Sequence, residues 1–259
     1  MTPEDILYIK DLVIEAGNIA EEYQRTNFSV ETKRDKSPVT HADKVISSTI
    51  MAALLKLKPN IQVVSEEEEI PELYSDTFWL VDPIDGTKSY IRREETYTVN
   101  IGLIENGSPS YGFIYQPAQK LLHYTDSERK LVVERAGQRF ALQEEVRGPG
   151  RDKGWKAAIT TRDGRVNMAE LLKLHDIKDI IAIPSSLKLC LVADGTVDIY
   201  PRFGETMEWD IAAGHALIKA AGGEVLDMNH KVIQYSKPGF LNSGFMACGA
   251  NFVSNSNLS

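Results

Sequence analysis

The sequence predicts a fold of mixed class, with an α+β first half and an α/β second half. Two helix patterns open the chain, and a run of short apolar strands separated by turn residues follows them. Beyond about residue 154, strand and helix patterns alternate instead. The polar, glycine-containing stretch 144–154 lies between these two arrangements. We therefore expect a boundary there, with subdomains of residues 1–153 and 154–259.

Both helix patterns begin with a threonine that is followed three residues later by an aspartate, an arrangement of the capping-box type. Thr2 and Asp5 start the first pattern, and helical spacing of apolar residues continues to about Tyr23. Thr40 and Asp43 start the second pattern, which leads into another apolar stripe. The sequence therefore predicts two amphipathic helices.

Short apolar strands follow, and two of them end in acidic residues. The strand at 61–64 continues into Ser65 and four glutamates, and the strand at 78–81 continues into Asp82-Pro-Ile-Asp85. Residues 97–117 predict two further strands around an Asn-Gly turn, as in an antiparallel meander. In the second half the alternating strand and helix patterns cover 156–160, 167–175, 179–183, 186–195, 197–202, 209–223 and 224–227.

Composition and charge exclude several classes of protein. A net charge of −8 argues against a general nucleic-acid-binding protein, which would carry a basic stripe. Two cysteines, Cys190 and Cys248, are too few for a disulfide framework and favour a reducing compartment, where we expect both to be buried. The N-terminus lacks a secretory pattern, and no apolar run approaches the roughly 18 residues of a membrane span. We expect a cytoplasmic protein with a small-molecule partner.

Asp82 and Asp85 lie at the end of a strand, which is where α/β proteins commonly place functional groups. Pro83 fixes its own φ, so both carboxylates can point toward one small volume, with the Ile84 carbonyl between them. Several oxygen ligands on so short an arc suit Mg²⁺ or Mn²⁺. Turn formation alone could also explain Asp-Pro and Asp-Gly pairs, and these two residues do not decide between the two interpretations.

Gly86, Thr87 and Lys88 follow at once and predict the start of a helix. Free N–H groups at a helix N-terminus bind anions, phosphate above all. Carboxylates beside a phosphate would repel it unless a cation lay between them. This juxtaposition favours a phosphate that is held through a metal.

Three other acids stand at the ends of elements, and each has a simpler explanation on its own. Glu66 belongs to a run of glutamates that is typical of a solvated surface, and Asp43 and Asp210 are placed to cap helices. Together with Asp82 and Asp85 they make a stronger case for a metal site than any one of them does alone.

These motifs resemble those of the magnesium-dependent, lithium-sensitive inositol monophosphatase superfamily along essentially the whole chain. They are "PVTHAD" (38–43), "SEE" (65–67), "DPIDGT" (82–87) and "WDIAAG" (209–214). The resemblance implies a layered αβαβα sandwich of the inositol monophosphatase and fructose-1,6-bisphosphatase type. It also implies a cleft between the two halves that holds the metals and the substrate.

Within the superfamily, "DGTKSYIRR" (85–93) and "YPRFGETMEWD" (200–210) are most similar to the CysQ branch, the 3'(2'),5'-bisphosphate nucleotidases. The implied activity is hydrolysis of the 3'-phosphate of adenosine 3',5'-bisphosphate to AMP and phosphate, by a water that Mg²⁺ activates. The implied cofactor is two or three Mg²⁺ ions, which Mn²⁺ can replace.

The resemblance also assigns a role to each matched residue. The implied metal ligands are Glu66, Asp82, Asp85, Asp210 and the Ile84 carbonyl; Asp43 and Thr87 orient the water, with Glu66 also in contact with it. The implied phosphate contacts are Gly86 and Thr87 for the reacting phosphate and Thr161, Arg162, Ser185, Lys188 and Arg202 for the other one.

Two positions depart from the branch. Pro184 replaces a glycine, and Asp163-Gly164 replace a Ser-His pair, near the implied substrate contacts. Two other functions therefore stay open, a phosphatase for an inositol or sugar phosphate and a binding protein without turnover. Monomer and homodimer are equally compatible with the sequence.

Overall fold

The computed structural model describes residues 1–26, 30–32, 38–140, 154–160 and 177–255. Its helices are α1 (Pro3–Arg25), α2 (His41–Leu57), α3 (Thr87–Ile91), α4 (Leu187–Ala193), α5 (Glu208–Ala220) and α6 (Ala250–Asn255). Its strands are β1 (Val30–Thr32), β2 (Pro38–Thr40), β3 (Gln62–Ser65), β4 (Thr77–Asp85), β5 (Thr98–Glu105), β6 (Ser108–Gln116), β7 (Leu121–Thr125), β8 (Leu131–Arg135), β9 (Gln138–Phe140), β10 (Trp155–Ile159), β11 (Ile177–Ala182), β12 (Ile199–Arg202), β13 (Thr206–Met207), β14 (Glu224–Asp227), β15 (Leu241–Asn242) and β16 (Phe245–Cys248).

Two large sheets organise the described residues. The first has seven strands in the sequential order β3 to β9. Adjacent strands in it are antiparallel, except for the parallel pair β3 and β4. The second has five strands in the order β11-β10-β12-β16-β14, with parallel pairs on the β10 side and antiparallel pairs around β16. The short pairs β1–β2 and β13–β15 lie outside these sheets.

Alternate residues of the buried strand β4 enter two different cores, as the two-residue period of a strand requires. Trp79 and Val81 join the core under α1 and α2, whereas Phe78 and Leu80 join the core formed with α4 and α5. A third cluster covers the other face of the second sheet, where Phe252 of α6 packs. The layers are therefore helices, first sheet, helices, second sheet and helix.

Helix α5 packs closely on the first sheet because two of its contacts there are glycines. A Cβ at Gly102 would lie 2.9 Å from the Cβ of Ala212, and a Cβ at Gly112 would overlap the carbonyl of Ala213. The same helix also packs on β14 and β16 of the second sheet. It therefore joins the two sheets through one continuous core.

The predicted helices α1 and α2 are confirmed, and so are their caps. Thr2 and Asp5 exchange hydrogen bonds at the start of α1, and Thr40 and Asp43 do so at the start of α2. The buried state of both cysteines is confirmed as well. None of the helices in the described part of the chain combines the length and apolarity that crossing a bilayer requires.

Other parts of the prediction were wrong or incomplete. The meander begins at β4, because β3 pairs with β4 in parallel through the long connection 66–76. Strand β16, an interior strand of the second sheet, was not predicted, since its four buried residues show no alternation of polar and apolar side chains. The predicted helix 167–175 and most of the predicted boundary 144–154 lie outside the described residues. The subdomain division stays a prediction.

Candidate active site

The corner that carries Asp82 and Asp85 is a bulge at the end of β4. Asp82 pairs with Asn100 of β5 and Asp85 pairs with Thr98, so three steps along β4 oppose two along β5. A bulge of this kind bends the strand and redirects the side chains on it. Pro83 is tolerated within it because the ladder is interrupted there.

Gly86 turns the chain from this bulge into α3. Its φ of +93° is unfavourable for other residues, and a Cβ would lie 3.2 Å from the Thr96 carbonyl and 3.3 Å from the Ser185 Cβ. The predicted helix start at Thr87 is confirmed. The Thr87 hydroxyl donates a hydrogen bond to the Ile84 carbonyl, 3.1 Å away.

Asp43 and Asp210 cap their helices, as the simpler explanation required. The N–H of Thr40 donates to Asp43 Oδ2 at 2.8 Å, and the N–H of Met207 donates to Asp210 Oδ2 at 2.8 Å. Each cap uses one oxygen of the carboxylate. Capping therefore does not prevent either residue from having a second role.

Three of the predicted metal ligands converge. Carboxylate oxygens of Glu66, Asp82 and Asp210 lie within 4.8 Å of one another. The chain reaches this point from three elements, because Glu66 follows β3, Asp82 lies at the bulge near the end of β4 and Asp210 lies in the first turn of α5. Asp85 is adjacent, and one of its oxygens accepts a hydrogen bond from the N–H of Ser186.

The electrostatics of this cluster favour a cation. Burial, followed by repulsion from Glu66 and Asp85, raises the pKa of Asp82 well above its ordinary value. Burial, Asp85 and Glu66 likewise raise the pKa of Asp210, although the N–H of Met207 and the charge of Arg202 act in the opposite direction. Asp82 Oδ1 is buried and receives no hydrogen bond from the residues that the structure describes. Buried oxygens of this kind fit a hard divalent ion.

Asp43 and Asp85 are also affected by burial. Burial raises the pKa of Asp43, with a contribution from Glu66, while hydrogen bonds from Thr40 oppose the change. Burial raises the pKa of Asp85 too, although the Lys188 ammonium and the Ser186 N–H partly offset it.

A cavity of about 360 Å³ opens over this cluster. Sequence reasoning identified eight of its lining residues as site residues and missed several others. The predicted ones are Glu66, Asp82, Ile84, Asp85, Gly86, Thr87, Ser185 and Asp210; the others include Pro38, Lys88, Ser89, Arg92 and Thr160. Lys88 and Arg92 could have been found, since both belong to the stretch "DGTKSYIRR" (85–93).

A second cavity of about 170 Å³ adjoins the first, and Asp85, Thr160, Ser185 and Asp210 line both. Lys188 and Arg202 line the second cavity only.

Lys188 is 4% exposed, and its Nζ donates to the backbone carbonyls of Ile183 and Ser185. Its Nζ also lies 5.0 Å from the centre of the Tyr200 ring. Arg202 approaches the Thr160 hydroxyl at 3.4 Å. The two cations therefore belong to a wall beside the acidic cluster.

The remaining predicted site residues are Asp43, Thr161 and Arg162. Thr161 and Arg162 lie outside the described residues, as do Asp163 and Gly164. Asp43 lines neither cavity and is 1% exposed, near enough to Glu66 for the two charges to interact.

A model of the inositol monophosphatase family matches residues 3–255. The chain belongs to the inositol monophosphatase family. The resemblance inferred from the motifs is thereby confirmed.

Among curated members of the family, the chain is 41% identical to the 3'(2'),5'-bisphosphate nucleotidase CysQ of Salmonella typhimurium over 219 residues, which cover 82% of this chain and 86% of that protein. It is 40% identical to the CysQ of Escherichia coli K12 over 222 residues, covering 83% and 87%.

Solved structures of family members show the same fold. The crystal structure of CysQ from Bacteroides thetaiotaomicron superposes with a TM-score of 0.79 at 31% identity, over 96% of this chain and 98% of that one. The inositol monophosphatase of Thermotoga maritima gives a TM-score of 0.75 at 22% identity, over 97% and 94%. The predicted layered sandwich of the inositol monophosphatase type is therefore confirmed.

Proposed function

We propose that this chain is a magnesium-dependent 3'(2'),5'-bisphosphate nucleotidase. It removes the 3'-phosphate of adenosine 3',5'-bisphosphate, consuming one water and leaving AMP and inorganic phosphate. The names of its relatives at 40% and 41% identity support this reaction. We expect it in the cytoplasm, in sulfur assimilation, where this nucleotide is the by-product of sulfate activation.

The observation that carries the proposal is a pair of adjoining cavities that share two acidic lining residues and differ in their other charged ones. The carboxylates of Glu66 and Asp82 line only the larger cavity, whereas Lys188 and Arg202 line only the smaller one. A substrate with two phosphates uses both, because one phosphate reaches the acids through a metal and the other meets cationic side chains. An inositol monophosphate has only one phosphate to offer.

Glu66, Asp82, Asp85 and Asp210, with the Ile84 carbonyl, are the residues that would hold Mg²⁺. The buried oxygen of Asp82 and the mutual repulsion of the acids fit such an ion. When bound, Mg²⁺ supplies acidification of a water and neutralisation of phosphate and leaving-group oxygens.

Other residues bind the reacting phosphate and orient the attacking water. N–H groups of Gly86 and Thr87 face the reacting phosphate and stabilise the negative charge that grows on its oxygens. The Thr87 hydroxyl, Asp43 and Glu66 orient the attacking water in line with the bond that breaks.

Ser185, Lys188 and Arg202 hold the other phosphate in the second cavity, with Thr161 and Arg162 as further contacts. Lys188 contributes mainly as a fixed charge, since its Nζ is already bonded to two backbone carbonyls.

Phosphate release from adenosine 3',5'-bisphosphate and from inositol 1-phosphate, each with Mg²⁺ and with a chelator, tests the proposal. We expect release that depends on Mg²⁺, that lithium inhibits, and that strongly favours the nucleotide. A preference for inositol 1-phosphate would be consistent with the proposed metal chemistry but would refute the proposed substrate. Binding of the nucleotide without release would indicate a protein that does not turn over.

A further inference from the structure

Ser186 contacts the corner that carries Asp82 and Asp85, and it also lines the second cavity. It is 3% exposed, and its hydroxyl lies 2.7 Å from the Thr98 hydroxyl and 3.0 Å from Asn100 Oδ1. Thr98 and Asn100 are the β5 residues that pair directly with Asp85 and Asp82. One serine of the second half therefore bonds to both residues that pair with the bulge.

The backbone of the same serine contacts the corner directly. Its N–H donates to the carboxylate of Asp85. Ser186 reaches this position through a constrained segment, because Ser185 has a φ of +61° and the carbonyls of Ile183 and Ser185 are bonded to the buried Lys188.

We propose that Ser186 is a positioning residue for the metal site, which sets the orientation of Asp85 by fixing the N–H that this carboxylate accepts. Its hydroxyl holds the N–H in place by hydrogen bonding to side chains of β5, the strand that pairs with Asp82 and Asp85. Residues that orient metal ligands by hydrogen bonds affect metal affinity without touching the metal. This inference rests on the proposed function, since it takes Asp85 as a metal ligand.

The test is the affinity for Mn²⁺ alone, measured by the electron paramagnetic resonance of the free ion, in the full chain without substrate. Ser186→Ala removes the hydroxyl and leaves the backbone N–H. We expect its dissociation constant for Mn²⁺ to rise about tenfold, in the range found for residues that orient metal ligands. Ser110→Ala is the matched control, because that hydroxyl donates one hydrogen bond to the Leu103 carbonyl, in the β5–β6 hairpin remote from the site.

A second variant keeps the test decisive if Ser186→Ala does not fold. Thr98→Val removes the partner hydroxyl from the first half with little change in shape, and we expect it to weaken Mn²⁺ binding too. If both single variants fold, the double variant should lose less affinity than the sum of the two, because both remove the same hydrogen bond.

The outcomes separate this inference from the proposed function. Wild-type protein that binds no Mn²⁺ would overturn the metal assignment and with it the inference. Tight binding by the wild type, with Ser186→Ala and Thr98→Val within about twofold of Ser110→Ala, would overturn the inference alone. A lowered melting temperature with an unchanged Mn²⁺ affinity would also overturn it, because the serine would then only stabilise the fold.

Discussion

One oxygen of Asp210 accepts the Met207 N–H at the start of α5, and the same carboxylate belongs to the acidic trio with Glu66 and Asp82. Asp43 likewise accepts the Thr40 N–H at the start of α2, and its carboxylate interacts with the charge of Glu66. At the scale of residues, the cap explanation and the metal explanation are therefore compatible. The cap fixes the carboxylate before any metal arrives.

Asp210→Asn separates these two roles. An asparagine oxygen can still accept the cap hydrogen bond, so we expect the fold to survive. It carries no charge for Mg²⁺, so turnover should fall by at least about a hundredfold, equivalent to about 2.7 kcal/mol. The measurement is Mg²⁺-dependent phosphate release together with the circular dichroism spectrum.

Asp5→Asn is the matched control, because Asp5 makes the corresponding cap at the start of α1. It should leave turnover unchanged. Near-normal turnover in Asp210→Asn would refute the role of this acid in the reaction.

Asp82→Asn should stabilise the protein while no metal is present. Asp82 is 1% exposed and is repelled by Glu66, Asp85 and Asp210, so its ionised form is costly in the metal-free fold. We expect a higher melting temperature than that of the wild type in chelator, with Asp11→Asn on the exposed face of α1 as the control.

The pH dependence of that gain has a definite sign. The pKa of Asp82 is raised in the folded state, so its stabilising, protonated form is lost as the pH rises. The advantage of asparagine should therefore shrink as the pH falls from neutral toward about 4, the ordinary pKa of an aspartate. A gain that increases on acidification would contradict the electrostatic cause.

At the scale of elements, the position of α5 depends on two residues of the first sheet that have no side chain. Gly102 of β5 and Gly112 of β6 leave room for Ala212 and Ala213, and this close approach places Asp210 beside the end of β4. The helix also contacts the second sheet. Its position therefore determines both the layer structure and the geometry of the acids.

Gly112→Ala tests this close packing. The added Cβ would overlap the Ala213 carbonyl, and overpacking of a well-packed core costs about 1–3 kcal/mol. We expect a lower free energy of unfolding in urea, with Ser110→Ala on the same strand costing about 1 kcal/mol or less. Equal stability of the two variants would mean that α5 can move away from the sheet without cost.

At the scale of the whole molecule, the sequence predicts well what depends on neighbours along the chain. The capping pairs of α1 and α2 lie three residues apart, and the turn at Gly86 requires one glycine, so both were predictable. Strand β16 and the parallel pairing of β3 depend on distant partners and were missed.

The site divides in the same way. Each acid was predicted at the end of an element, and together they favoured a metal site, but only the resemblance to a family assigned each acid its role. Ser186 was missed because its partners Asp85, Thr98 and Asn100 lie 101, 88 and 86 residues away along the chain. No local pattern identifies such a contact.

Binding of Mg²⁺ should stabilise the whole molecule in one transition. The core around α5 contains residues of both halves, such as Leu80 and Tyr200, so we expect the two predicted subdomains to unfold together. At a Mg²⁺ concentration of 100 times the dissociation constant, the gain is about 2.7 kcal/mol. For a chain of this size that raises the melting temperature by about 5–10 °C.

Differential scanning calorimetry over a range of Mg²⁺ concentrations makes this measurement, and Asp210→Asn serves as the variant that should lose the shift. Two separate transitions, with Mg²⁺ moving only one, would mean that the halves fold independently. In that case the first half would hold the metal with Glu66, Asp82 and Asp85 alone. A single transition that shifts with Mg²⁺ in the wild type only would mean that Asp210, delivered by α5, couples metal binding to the packing of both sheets.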